Sequence, residues 1–170
     1  MTNKMLVLAI FLIVPGFLFA EEPFCGYWKI VDRRDGFTQT IVAVYEHNGI
    51  IFGRNVVNFD EDTGELLDTI YDPVLRVSKM EGTPFLTEIN LFWGLEKSAG
   101  KLRRGQIIDP GNGRVYACEL WLQNDTLVIR GRWGPFYRKL FLYRVSDSDF
   151  PAGFNPPDMR GWGPMIPKLR

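Results

Sequence analysis

The chain has a single histidine, His47, which stands directly before an Asn-Gly pair. Histidine is the side chain most often used for acid–base chemistry near neutral pH and for binding zinc. A serine–histidine–aspartate triad or a zinc site needs partners around that histidine, and neither cysteine of this chain has the paired spacing of a zinc ligand. We expect His47 to be exposed beside a turn, and the sequence predicts no catalytic residue and no metal site.

Cys25 and Cys118 are the two cysteines of the chain. In an oxidising compartment they could form one disulfide bond. Their separation along the chain does not show whether the two side chains meet, because a disulfide requires close and correctly oriented Cβ atoms. A bridge and two half-buried thiols both remain open at this point.

The segment Asp109-Pro110-Gly111-Asn112-Gly113 is rich in oxygen donors of the kind that bind calcium. It lacks the ligand spacing of an EF-hand, and each residue type is one that tight turns use. We interpret the segment as a turn. A hydrolase built on two carboxylates, such as Glu88 and Asp109, would need no histidine. We rank it last, since nothing in the sequence places two carboxylates together.

The elements that must position any site are β-strands, because Val, Ile, Thr, Tyr, Phe and Trp dominate the regular segments. Asn48-Gly49 lies between two such runs, which is the strongest short-range signal for a hairpin. Asn124-Asp125 predicts a second hairpin. We predict strands at 26–32, 38–47, 50–58, 85–93, 103–108, 114–123, 126–133 and 138–145, with a short helix or one further strand in 60–80.

Eight or nine antiparallel strands in one domain need protection for their edges, and closure into a barrel provides it. The sequence therefore predicts an all-β fold, a closed antiparallel β-barrel of about eight strands. The interior of such a barrel is either filled by side chains or holds one small ligand.

An alternating segment, FLTEINLFW, indicates which side chains would line such an interior. Its odd positions form an apolar face, whereas Glu88 and Asn90 are expected on the solvated face. Together with inward residues of neighbouring strands, this face gives a predicted binding site for a small apolar ligand. Its members are Phe85, Ile89, Leu91, Trp93, Tyr45, Tyr116 and Leu120.

The two ends of the chain differ from the barrel. Residues 1–20 combine Lys4, the apolar run from Met5 to Val14 and a small residue at Ala20, which is typical of a cleaved signal peptide. The sequence thus predicts a periplasmic or secreted protein with no membrane span after cleavage and a barrel domain over 21–146. Residues 147–170 are rich in proline and glycine and predict an extended or disordered tail, dispensable for folding.

The chain carries 20 basic and 20 acidic residues. This balance gives no overall field that would attract nucleic acid or anionic lipid. Arg130 and Arg132 alternate with apolar residues and are expected to point outward into solvent. The apolar residues of the tail either lie against the barrel or dock on a partner protein of the cell envelope.

Several segments together resemble a known family. They are GYWK near the start, NGIIFGRNV after the first hairpin, GQIIDPGNGRVYACELWL, LVIRG and a final Tyr-Arg. They resemble the bacterial secreted family catalogued as domain of unknown function 2147, over about residues 25–146. The resemblance implies a lipocalin-like barrel with a cavity, and it brings no catalytic residues and no cofactor. The chain differs in lacking paired cysteines within 60–84 and in carrying the tail.

The resemblance also suggests why a tryptophan opens the first strand. In lipocalin-like barrels a first-strand Gly-x-Trp lies at the closed end, under an arginine of the last strand. Here these residues would be Gly26, Trp28 and Arg144. A guanidinium over an indole is favourable, and its remaining donors can bind backbone carbonyls.

The sequence favours a secreted, non-enzymatic, lipocalin-like protein that binds a small apolar molecule. The alternative is an envelope interaction protein whose barrel is packed solid and which acts through its outer surface or its tail.

Overall fold

The structure is a computed structural model that describes residues 23–32 and 36–170. The predicted signal peptide lies outside these residues. Within them the chain forms nine strands: β1 (Gly26–Val31), β2 (Thr38–His47), β3 (Ile50–Phe59), β4 (Leu66–Thr69), β5 (Asn90–Ser98), β6 (Lys101–Asp109), β7 (Arg114–Gln123), β8 (Thr126–Trp133) and β9 (Phe136–Arg144). Short 3-10 helices cover Leu86–Glu88 and Asp147–Asp149.

Eight of these described strands form a closed antiparallel barrel. Their order is β2-β1-β9-β8-β7-β6-β5-β3, and the pairing of β2 with β3 closes the ring. β4 pairs with the far end of β3 beyond the point where β3 leaves β5. The predicted all-β barrel is therefore confirmed, and the uncertain segment 60–80 contributes a short strand rather than a helix.

Both predicted tight hairpins are present. Asn48 and Gly49 join β2 to β3 with φ of 52° and 80°, the left-handed conformation that the turn requires. Asn124 joins β7 to β8 with φ of 54°. These turns and the β5–β6 turn lie at one end of the barrel, here called the closed end. The connections after β1, β3, β6 and β8 lie at the other, here called the open end.

The predicted strand 85–93 is wrong in its first half. Residues Leu86–Glu88 form a turn of 3-10 helix, and β5 starts only at Asn90. The Glu88 carboxylate accepts a hydrogen bond from the Phe85 backbone N–H at 2.9 Å and so caps this turn. The Arg76 guanidinium lies 3.7 Å from the Phe85 ring centroid. The apparent alternation therefore does not define one face of a strand.

The C-terminal segment, residues 147–170, is not a free tail. It runs along the outer face of the barrel wall formed by β1, β2 and β3. There it covers a second apolar cluster of fully buried side chains: Ile41, Ala43, Val56 and Val57. Phe150, Phe154 and Trp162 pack against that cluster. We refer to residues 147–170 as the strap.

Polar contacts fix the strap along its whole length. Lys29 pairs with Asp149, and the Tyr27 hydroxyl donates to the Pro157 carbonyl. Burial raises the pKa of Tyr27 to about 12, consistent with a neutral phenol held as a donor. Asn90 exchanges two hydrogen bonds with the Met165 backbone, of 2.6 and 2.8 Å. The strap is thus packed on the barrel along its length, and these contacts argue against the expectation that it is dispensable for folding.

Deletion of the strap after Ser146 should destabilise the barrel. It would expose the outer cluster, and each large apolar side chain returned to water costs about 1.5–3 kcal/mol. For a chain of this size we expect the thermal midpoint to fall by on the order of 10 °C or more. Arg160→Ala is the matched control, because that side chain is 91% exposed within the strap. Equal midpoints for the truncated and intact proteins would contradict the assignment.

Candidate ligand-binding cavity

The open end of the barrel contains a cavity of about 900 Å³. Its walls are apolar side chains of the barrel strands, and loops extend them outward. The apolar members are Ile30, Phe59, Leu67, Leu75, Leu86, Leu91, Ile107, Ile108, Tyr116 and Leu140. Pockets for small molecules measure about 300–1,000 Å³, so the space suits one such ligand.

The cavity ends where the closed half of the barrel begins. On β1 the inward residue Ile30 lines the cavity, whereas the preceding inward residue, Trp28, is fully buried. On β9 the same step leads from Leu140 to the fully buried Leu142. The closed half is therefore packed as a core, and the open half provides the space.

Three inward-facing glycines show how this division arises. A Cβ at Gly53 would lie 2.0 Å from the Phe92 ring, and one at Gly105 would lie 2.4 Å from Leu95. Large neighbours therefore occupy the room that these two glycines leave. A Cβ at Gly131 would meet only Ile107, at 3.5 Å, and Gly131 lines the cavity. The room left by Gly131 is part of the cavity.

A polar network forms the wall next to β3. The buried Asp68 on β4 accepts from the Asn58 side-chain amide at 2.9 Å. Because a carboxylate only accepts, the Asn58 oxygen must face the other way, where it accepts from Thr40 at 2.6 Å and from the Asn55 amide at 2.9 Å. Asp68 thus sets the orientation of the whole network.

The network ends in an unpaired acceptor. Asn55 is 5% exposed and lines the cavity, and its Oδ1 has no hydrogen-bond partner among the residues that the structure describes. A buried acceptor without a partner costs about 1–3 kcal/mol. A donor group that reached Asn55 would recover part of this free energy.

The rim of the cavity carries opposite charges on its two sides. Asp60, Glu61 and Asp62 follow β3 on one side. Arg132 and Arg138 stand on the other side, together with the exposed rings of Trp133, Phe136 and Tyr137. Sequence reasoning did not find this division, because the overall charge of the chain is balanced.

The structure brings together only part of the site predicted from the sequence. Leu91 and Tyr116 line the cavity. Leu120 is inward but fully buried in the closed half, and Ile89 is buried just before β5. Phe85 lies in the capped turn beneath Arg76.

Two predicted site residues face away from the cavity. Tyr45 lies beneath the strap, where its hydroxyl donates to the Gly163 carbonyl at 3.0 Å and its ring meets Trp162. The Trp93 indole donates to Gln106 at 2.9 Å, and neither residue lines the cavity. The register of Trp28 supplies the signal that was missed, since residues two positions apart share a face and Ile30 follows Trp28 inward.

The closed end has the arrangement that the resemblance implies. The Arg144 guanidinium lies 3.8 Å from the Trp28 ring centroid and donates to the Cys25 carbonyl at 2.9 Å. The Trp28 indole N–H donates to the Phe24 carbonyl at 2.9 Å. Gly26 has a φ of 121°, and a Cβ there would lie 2.8 Å from Arg144. Only glycine leaves the guanidinium its place.

The two cysteines are not joined to each other. Cys25 precedes β1 at the closed end, whereas Cys118 lies inside the barrel on β7, and β9 and β8 stand between those strands. Burial raises the pKa of the Cys118 thiol to about 12, and the nearby charge of Glu119 adds to the shift.

The fold places the protein among lipocalin-like barrels. Protein HP1028 from the human pathogen Helicobacter pylori, which belongs to the lipocalin family, aligns with a TM-score of 0.57 and 13% sequence identity. The alignment covers 74% of this chain and 85% of that one. At this identity the likeness shows the fold alone.

The chain itself belongs to a bacterial family. Residues 26–144 match the family described as an uncharacterized protein conserved in bacteria, domain of unknown function 2147. The match spans the barrel from β1 to β9, as the resemblance indicates. No curated protein matches the chain.

Two further findings concern the part of the chain that the structure describes. No helix there is long and apolar enough to cross a membrane. No three side chains among its His, Cys, Asp and Glu residues are grouped so that they could hold a metal ion.

Substitutions at the closed end should separate packing from stacking. Trp28→Ala should cost about 3–5 kcal/mol of unfolding free energy, because it removes a fully buried indole. Arg144→Ala should cost about 1–2 kcal/mol, from the lost stacking and hydrogen bonds. Trp133→Ala, which removes an indole that is 63% exposed, is the control and should unfold with the wild type. Chemical denaturation of the three variants measures these differences. Equal stability of Trp28→Ala and wild type would exclude an end plug at this position.

Cys118 should be inert in the folded protein. With a pKa of about 12, only about one thiol in a thousand is ionised at pH 9, whereas about three-quarters of ordinary thiols, with a pKa of about 8.5, are ionised. In a Cys25→Ser variant, iodoacetamide at pH 9 should leave Cys118 unmodified, and denaturant should make it react fully. Mass spectrometry of the alkylated chain gives the answer. Rapid labelling of the native variant would show that Cys118 is accessible and ionised.

Proposed function

We propose that this protein binds one small, largely apolar molecule in the open half of the barrel. The cavity of about 900 Å³ carries the proposal, since it is lined by apolar side chains and opens to solvent. The lipocalin-like fold supports it, because eight-stranded barrels of this width hold one small ligand.

Binding rather than catalysis fits the positions of the reactive side chains. Glu88 caps the turn before β5, and Asp109 accepts hydrogen bonds within the turn after β6. His47 lies at the closed end, far from the cavity, because it ends β2 beside the hairpin turn. These side chains serve turns, and the proposal assigns them no chemistry.

The alternative function, an interaction protein with a solid barrel, has less support. The closed half is solid, but the open half is not. The strap residues that would serve a partner best, Phe150, Phe154 and Trp162, already pack on the barrel. Exposed apolar side chains remain only toward the end of the described strap, at Met165, Ile166 and Leu169.

We also propose that the protein acts outside the cytoplasm, in the periplasm or beyond. The support is the signal-peptide pattern of residues 1–20, which lie outside the described residues. A protein in such a compartment could take up a ligand that dissolves poorly in water.

A cavity-filling substitution tests the binding proposal. The chain from Glu21 onward should bind the neutral fluorescent probe N-phenyl-1-naphthylamine saturably, at one site per molecule. Gly131→Leu places a side chain in the cavity and should weaken binding by about tenfold or more, without lowering the thermal midpoint. Gly163→Leu is the matched control, because its Cβ would meet nothing within 4 Å and Gly163 lies on the strap.

The outcomes of this titration are distinct. Saturable binding that Gly131→Leu weakens and Gly163→Leu preserves supports the cavity as the site. Binding that does not saturate, or that resists Gly131→Leu, would reject it. The thermal midpoints of both variants show that any loss is local.

A further inference from the structure

The hairpin between β8 and β9 exposes three aromatic side chains at its tip. Trp133, Phe136 and Tyr137 are 63%, 68% and 64% exposed. The Trp133 and Phe136 rings lie 6.3 Å apart, so they pack on each other rather than on the core. A group of large exposed aromatic residues on a small barrel indicates an interaction surface. We refer to residues 133–137 as the aromatic tip.

The same hairpin is strongly basic. Residues 126–144 contain Arg130, Arg132, Arg138, Lys139 and Arg144, and they contain no Asp or Glu. Arg144 is used at the closed end, and Arg130 pairs with Glu119 of β7. Arg132, Arg138 and Lys139 have no carboxylate partner among the residues that the structure describes. The Lys139 ammonium lies 5.6 Å from the centroid of the Trp121 ring on β7, so Arg132 and Arg138 are the two cations that flank the aromatic tip.

The acidic residues of the rim lie on the opposite side of the cavity. Asp60, Glu61, Asp62 and Glu65 fall within the six residues that follow β3, without a basic residue among them. The overall charge of the chain is balanced, but the rim has an acidic side and a basic side. The expectation that no field exists to attract anionic lipid holds for the whole chain but not for this hairpin.

We propose that the aromatic tip docks on a bilayer that contains anionic lipid. Tryptophan and tyrosine favour the headgroup region of a bilayer, because their rings are apolar and each carries one polar group. Basic side chains beside them bind lipid phosphates. The Arg132 and Arg138 side chains are exposed, so they are free to meet lipid phosphates, whereas the buried core of a protein–protein interface is depleted in charged residues.

The geometry also sets how the barrel would stand on the bilayer. The aromatic tip and Arg138 both border the cavity, whereas the acidic side of the rim is repelled by lipid phosphates. The barrel is therefore tilted, with β8 and β9 at the bilayer and residues 60–62 in water. An apolar molecule could then pass between the bilayer and the cavity without crossing much water. Docking does not depend on the proposed ligand, since the three rings of the tip are exposed at the protein surface.

Sedimentation with lipid vesicles tests this proposal. The chain from Glu21 onward is mixed with vesicles of phosphatidylcholine alone, or with 30% phosphatidylglycerol, at low ionic strength. We expect binding to the anionic vesicles only, and less of it as salt is raised. Trp133→Ser/Phe136→Ser and Arg132→Ser/Arg138→Ser should each weaken binding by about tenfold or more, at on the order of fivefold per cation.

Matched controls separate docking from general effects. Tyr143→Ser removes an exposed ring of β9 near the closed end, and Arg103→Ser/Arg104→Ser removes two exposed charges of β6, also toward the closed end. Both controls should bind vesicles like the wild type. Absence of binding, equal loss in the controls, or unchanged binding by the Trp133→Ser/Phe136→Ser variant would overturn the proposal. Self-association through the tip, seen by sedimentation without vesicles and abolished by that variant, would overturn it as well.

Discussion

Closure of the barrel requires that the first strand, β1, pairs with the last strand, β9. This β1–β9 seam is short. β1 and β9 are paired at three positions, Trp28 with Arg144, Lys29 with Tyr143 and Ile30 with Leu142. The first of these pairs carries the stacked guanidinium and indole, and the last lies between the core and the cavity. Side-chain contacts therefore strengthen a seam that has few backbone hydrogen bonds. Both the packed core and the cavity depend on that closure.

The dense packing of the closed half stabilises the barrel, so the open half can contain a cavity. Marginal stability leaves a small domain little freedom to omit core packing, since each buried side chain contributes a few kcal/mol at most. This chain has two clusters of buried apolar side chains instead of one, the first mainly inside the barrel and the second beneath the strap. The cluster beneath the strap buries apolar side chains and so compensates for the packing that the open half lacks. This is a structural role for the strap.

Most of the fold could be predicted from local sequence patterns. The Asn48-Gly49 turn requires φ > 0 and has few alternatives, so the hairpin and its register follow. The prediction of one strand from Phe85 to Trp93 was wrong because Glu88 caps a turn. Alternation of polar and apolar residues does not by itself distinguish a continuous strand from a capped turn that is followed by a strand. The strap was missed because its contacts are long-range. A hint of it exists in β2, where Ile41 to Tyr45 is apolar on both faces, as in strands that are covered on both sides.

The cavity was only partly predictable from the sequence. Leu91 and Tyr116 followed from an inward-facing apolar pattern, but Tyr45 and Trp93 satisfied the same pattern on the outer face. Which face of a strand is inward depends on the register at each bulge, and bulges interrupt the β2–β3 and β3–β5 ladders. The rim charges required the topology, because it brings residues 60–62 and 132–138 to the same opening.

The strap also has a consequence for the order in which the molecule assembles. β2 and β3 lie in the first half of the sequence, whereas the residues that cover their outer face come after position 146. The contacts of Tyr27 with Phe150 and of Met80 with Leu169 join segments about 90 to 120 residues apart. Contacts of such long sequence separation form late, since loop closure must precede them. Until the residues after position 146 arrive, a nascent chain therefore has an apolar hairpin with one uncovered face, and such a face is prone to aggregation.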